Sequence, residues 1–276
     1  MVQKLVTLLW IWVEEMQDKY FAKKRIRSSI IFLIIIAVTY GSMVLTQFSM
    51  IQGLASIPKA IQWGFTNFFP NASSLDRLPN ILDKLLETLL VSIAATTIAA
   101  MFALMFAIAG SNTTKINSFF STIARGFATL FRNIDIAAWS MILLFSFGQS
   151  SLTGFFALFF VSFGFLTRAF IEVIDETSNS SVEALQATGA TYFTIIFQSV
   201  IPSTIAQMIS WLLFVIETNI RSATLIGILT GTGIGFAFDL YYKSSNYNAA
   251  SLVVLVIAIT ILSIEYISNY IRRVIL

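Results

Sequence analysis

Cysteine and histidine are both missing from this chain of 276 residues, which excludes disulfides, thiolate nucleophiles, imidazole bases and the usual zinc ligands. Any bond-making chemistry associated with the chain must therefore come from a partner. Charge is scarce as well, at 11% of residues against about 25% in an average soluble protein. Seventeen basic and fourteen acidic side chains leave a net charge of +3, too little to argue for nucleic acid and better read through its distribution between loops. Apolar residues fill the space, at 57% of the sequence with a mean hydropathy of +0.83. That is the composition of an all-α integral membrane protein.

A helix needs roughly 20 apolar residues to cross a hydrocarbon core of about 30 Å. Six segments are predicted on that basis, at residues 28–48, 88–109, 134–147, 152–171, 200–216 and 249–271. The third is short, and Arg125, Arg132 and Asp135 interrupt its start. The chain then divides into a cytoplasmic or interfacial segment at 1–27, a first transmembrane helix at 28–48, an external segment at 49–87 and a membrane core at 88–276. Residues 1–20 are predicted to form an interfacial helix with Trp10, Trp12 and Tyr20 at headgroup depth, since Glu14, Glu15 and Asp18 stand where a signal-peptide cleavage site would need small residues. Residues 50–82 are too interrupted to span and are expected to lie on the surface, ended by Pro70, Asn71 and Ser73. With six spans both termini share a side. Twelve basic residues fall there and five (Lys59, Arg77, Lys84, Arg221 and Lys243) fall on the other, so the positive-inside rule makes the termini and the loop at 172–199 cytoplasmic.

That loop carries the most informative polar interruption, Glu183-Ala184-Leu185-Gln186-Ala187-Thr188-Gly189. Ser180 and Glu183 have the spacing of a capping box, which predicts a helix from about Ser181. Ala184, Ala187 and Thr188 make one side of it small, and Gly189 either ends the helix or lets another chain approach closely. Local physics serves equally well a linker helix that reverses the chain and a rod that lies in a partner's groove.

The spacing resembles the EAA loop of ABC importer permeases: Glu-Ala-Ala, three residues, Gly, nine residues, then Ile-x-Leu-Pro. Glu183, Ala184, Gly189 and Pro202 match it; Leu185, Ser199 and Ile201 depart from it. The resemblance implies a methionine-permease-like helical core with one extra N-terminal helix, a multi-pass protein of the bacterial inner membrane. It also implies a coupling helix with Ala187 on its small face. Further partners implied are two ATP-binding subunits that hold ATP and magnesium, an external solute-binding protein, a second permease chain and membrane lipid. No cofactor is expected in this chain itself, and no catalytic residue.

Downstream, Glu217-Thr218-Asn219-Ile220-Arg221 with Thr224 and Gly227, followed by Gly231, Gly233 and Gly235, resembles the Glu-x-Asn-x-Arg-x-x-Thr-x-x-Gly signature of phosphonate-type permeases. The resemblance implies phosphonates or related phosphorus oxyanions as cargo and these residues as a pathway or gate; another small solute such as an amino acid is the alternative. From the residues alone, Glu217 and Arg221 at the end of a span are either a structural ion pair or an anion contact near the external mouth. The glycines cannot form a nucleotide loop, lacking the P-loop lysine and its soluble setting, and are expected to break a helix or permit close helix contacts. Arg132 and Asp135 are expected to pair, and Glu265 to face the bundle or the cytoplasmic end. An ion-coupled secondary transporter using Glu217 or Glu265, and a non-transport scaffold or sensor, are the competing classes.

Overall fold

The computed structural model describes the backbone of residues 2–275 and the side chains of Phe21 and of residues 23–275. Among the described residues all regular structure is helical, in two compact units, Met1–Trp63 and Gly64–Leu276.

The first unit holds α1 (Val2–Leu45), and α2 (Met50–Asn67) begins in it and runs four residues beyond. Residues 2–27 are not a separate interfacial helix, because they continue without a break into the apolar stretch; Lys23–Leu45 is the part apolar enough to span. Trp10, Trp12 and Tyr20 fall outside the described side chains. In α2 no residue is buried.

The second unit starts with α3 (Ala72–Leu75), capped reciprocally by Asn71 and Ser74. Next comes α4 (Leu78–Gly110), so the second span begins well before residue 88, with Pro79 in a first turn where no N–H is needed. Its buried face is small: Thr88, Ser92, Ala95, Thr96, Ala99, Ala103, Ala107 and Gly110 recur at helical spacing. Where lipid supplies no hydrophobic drive between helices, such a face permits close van der Waals packing. α7 (Ser151–Thr177) packs against it.

The short third segment is half of a broken one. α5 (Ser118–Asn133) and α6 (Ile136–Phe147) meet at 92°. Asp135 makes the break by capping α6 through Ala137 N, and it has no ion pair with Arg132. Phe131 stacks on Trp139 and Phe160 at the bend, and Gly164 lets the α5 backbone at Phe131 and Arg132 come against α7. The pair runs from one end of the helical bundle to the other. Ser111, just before α5, bonds Asp175 near the end of α7, whereas Ser151, just after α6, bonds Glu87 near the start of α4. Those two levels are roughly 36 Å apart at 1.5 Å per residue along α4.

After α7 come α8 (Asn179–Ala187), α9 (Tyr192–Ile195), a π-helical turn (Ile196–Val200), α10 (Ile201–Thr230), α11 (Gly233–Lys243) and α12 (Tyr247–Ile275). The helix through α9 and α10 covers Tyr192–Thr230, far longer than residues 200–216. Among the described residues five helices are long and apolar enough to span, and six counting the bent pair.

Candidate functional site

The first group of predicted residues lies on α8. Its N-cap is Ser178, whose hydroxyl donates back to Ile174 O at 2.6 Å, and Ser180 and Glu183 do not form the expected capping box. α7 runs helically to Thr177, with only Ser178 between it and α8, so Glu172, Asp175 and Glu176 are its last turns and not loop. Val182 is buried and Leu185 half-buried against the main core, while Glu183, Ala184, Ala187, Thr188 and Gly189 are exposed. A small, open face therefore points away from the protein.

Gly189 has φ +78°, the left-handed conformation that ends a helix. Ala190 N donates to Leu185 O and Gly189 N to Gln186 O, the paired bonds of a Schellman motif, with Ala190 and Leu185 packing together on the core. A Cβ on Gly189 would meet nothing within 4 Å, so backbone conformation, not crowding within this chain, selects glycine there.

Sequence reasoning missed what holds α8 in place. Asp175 accepts from Ser111 Oγ at 2.5 Å, Thr113 N at 3.1 Å and Thr113 Oγ1 at 3.2 Å, with Arg125 at 3.5 Å. Tyr192 OH donates to Thr114 O, and Ser199 Oγ to Ser181 Oγ at 2.8 Å. Ser199, a departure from the EAA pattern, is thus the residue that ties α8 to the helix after it. Pro202 is at the second position of α10 and cannot donate to the preceding turn. The wide π turn precedes it, with Ile201 N donating five residues back to Ile196 O.

The second group is in mid-helix on α10, not at the end of a span. Glu217 and Asn219 are buried, Arg221 is exposed and Thr224 half-buried. Asn219 Nδ2 donates to Thr96 Oγ1 at 2.7 Å and to Ser162 Oγ at 2.6 Å, joining α10 to α4 and α7. Glu217 pairs with Arg221 through Oε1 and, through Oε2 at 3.2 Å, with Arg272 of α12. Arg221 is thus not in an external loop, and Arg272 is not simply a terminal charge. Glu265 is exposed on α12, not turned toward the bundle. Hydroxyls inside apolar runs, Thr96 and Ser162, were the available signal for the first set of partners; nothing local signals Arg272.

The glycines form the turn between α10 and α11. Gly231 and Gly233 have φ +68° and +61°. Gly227 and Gly235 let the two backbones touch, because a Cβ on Gly235 would overlap Thr224 O. Beside them is a polar knot that the sequence did not single out: Glu87 accepts from Ser151 at 2.5 Å and Lys84 at 2.9 Å, and Thr88 Oγ1 accepts from Ile234 N at 2.8 Å. It closes a cavity of about 20 Å³ lined by Glu87, Thr88, Gly227, Thr230, Thr232 and Gly233 among others.

Comparison with known proteins accords with this architecture. The family of binding-protein-dependent transport system inner membrane components matches residues 99–275. The phosphate-import permease protein PhnE of Mycolicibacterium smegmatis is 28% identical over 169 residues, 61% of this chain and 32% of that protein. The putative phosphite transport system permease protein HtxE of Stutzerimonas stutzeri is 28% identical over 160 residues, 58% of this chain and 61% of that protein. The matched segment thus spans about one third to three fifths of these relatives' length. Among solved structures, an amino acid ABC transporter aligns with a TM-score of 0.63 at 15% identity over 73% of this chain and 96% of its own. The MetNI methionine ABC transporter aligns with a TM-score of 0.59 at 16% identity over 71% and 98%. These likenesses establish the shared helical fold. This multi-pass chain belongs to the family of binding-protein-dependent transport system inner membrane components.

Proposed function

We propose that this chain is the transmembrane permease subunit of an ATP-driven ABC importer of phosphonates or related phosphorus oxyanions. The observation that carries the reading is the exposed small face of α8, ended by Gly189 and braced from below by Asp175, Tyr192 and Ser199. A short rod with one buried and one open side, on a rigid footing, transmits a push from a soluble partner into α7 and α10. The phosphate- and phosphite-transport relatives support the cargo class.

In this reading two ATP-binding subunits hold ATP and magnesium, and each grips one α8 through Ala184, Ala187 and Gly189. Two permease chains are therefore needed, identical or paralogous. Closing of the ATPases moves the α8 pair, α10 tilts with Pro202 at its foot, and the pathway opens outward to receive solute from an external binding protein. The turn at Gly227, Gly231, Gly233 and Gly235 with Thr224 forms the outer gate, and both termini are cytoplasmic.

Gly189→Asp tests the coupling assignment. Asp tolerates the left-handed conformation, so α8 keeps its end, while a charge and bulk are placed on the docking face. Membrane insertion should be normal, and co-purification with the ATPase and uptake should both fall. Undiminished co-purification and uptake would refute the docking role. Gly189→Asn separates bulk from charge.

A further inference from the structure

Resting on the proposed function, one feature extends it to a solute site within this chain. Glu217 is 8% exposed and faces two guanidinium groups, the half-exposed Arg221 and the partly buried Arg272, so the trio carries one uncompensated positive charge. Burial makes such an excess costly unless a counter-anion or water meets it. Both hydrogen bonds of Arg272 leave from Nη2, to Glu217 and to Ser268 Oγ at 2.8 Å, and its Nε is buried without a partner. Arg272 also lines a cleft of about 410 Å³ with Gln207, Ser210, Trp211 and Phe214. Those α10 residues recur at spacings of three and four, and the same stripe continues to Arg221, which is about half exposed.

We propose that Arg272, with Gln207 and Ser210, forms a resting site for a tetrahedral phosphorus oxyanion in this cleft. Glu217 is the positioning residue: it holds both guanidinium groups and cancels one of their two charges. A single net charge suits a passage, because an anion must leave as well as enter. The guanidinium fork matches phosphoryl oxygens, Gln207 and Ser210 add neutral donors, and Trp211 and Phe214 give an organic substituent an apolar wall.

The same oxyanion chemistry belongs to a free solute and to a phospholipid headgroup. The setting, partway along α10 beside the partly buried Glu217–Arg272 pair, favours the free solute.

The test uses the purified permease–ATPase complex without the external binding protein, titrated with inorganic phosphite and with methylphosphonate. Wild type should bind both, with sulfate weaker and methionine absent. Arg272→Gln should weaken binding about tenfold or more, the effect of losing a charge-assisted hydrogen bond. Ser210→Glu sets a carboxylate in the cleft that repels an anion and competes for Arg272, so it should abolish binding in a complex that still assembles. Unchanged affinity in an assembled Ser210→Glu complex overturns the site, as does the absence of any oxyanion binding by wild type. A phospholipid retained by the complex and not displaced by phosphite assigns the cleft to lipid and overturns the solute site. Phosphonate uptake by wild type with its ATPase and binding protein is scored separately. Uptake that persists when the cleft variants have no effect removes only this site, whereas no oxyanion uptake at all removes the proposed function beneath it.

Discussion

Asn219 stands out by its place in the Glu-x-Asn-x-Arg signature, yet its role is set by hydroxyls 123 and 57 residues away. No local spacing reveals such partners, and the same holds for Glu217 and Arg272, 55 residues apart. The physical consequence is measurable. Asn219→Ala removes both interhelical donors, and because hydrogen bonds between membrane helices contribute modestly, a loss of about 1–2 kcal/mol is expected. Asn219→Asp should cost more, since it leaves an acceptor-only carboxylate against two hydroxyls and adds a buried charge. Unfolding of the purified chain in mixed micelles ranks the two. An Asp variant as stable as wild type would contradict the buried, triply shared geometry at Asn219.

At the scale of elements, long apolar helices were legible, and the errors fall where a distant contact overrides local pattern. The Ser180–Glu183 spacing fits a capping box, but α7 continues to Thr177 because Asp175 is held by the 111–113 turn, and Ser178 becomes the junction. α5 escaped the apolar count because Thr122, Arg125, Thr129 and Asn133 put a polar stripe along it. Pro202 reads in the sequence only as a motif position; the π turn at Ile196–Val200 directly precedes it and carries Ser199, which bonds Ser181. Pro202→Ala restores the missing donor and favours ordinary α-helical pairing through this turn. That change is expected to rotate Ser199 away from α8. The variant should accumulate in the membrane at wild-type amounts yet transport several-fold more slowly. Full uptake with the α8 contact intact would show that the π turn does not depend on the proline.

For the whole molecule, the proposed orientation joins charge to connectivity. Gly110, Asp175 and Tyr192 come together at one end of the second unit through the 110–114 turn, and Glu87, Ser151 and Gly233 gather at the other. This makes the bent α5–α6 pair a true crossing, which the short third apolar run alone did not establish. It also takes Arg221 out of the loops, as it does Arg132 and Arg168, which lie within α5 and α7. On the proposed function, the end bearing α8 is expected to be cytoplasmic and the end bearing the α11–α12 turn external. Because the chain has no cysteine, single introduced thiols report this without background. Ser245→Cys, exposed between α11 and α12, should react with a membrane-impermeant maleimide in intact cells after the outer barrier is opened. Gln186→Cys, exposed on α8, should react only once the inner membrane is permeabilised, and should be shielded when the ATPase is co-expressed. Labelling of Gln186→Cys in intact cells would reverse the orientation and, with it, deny α8 to any cytoplasmic ATPase.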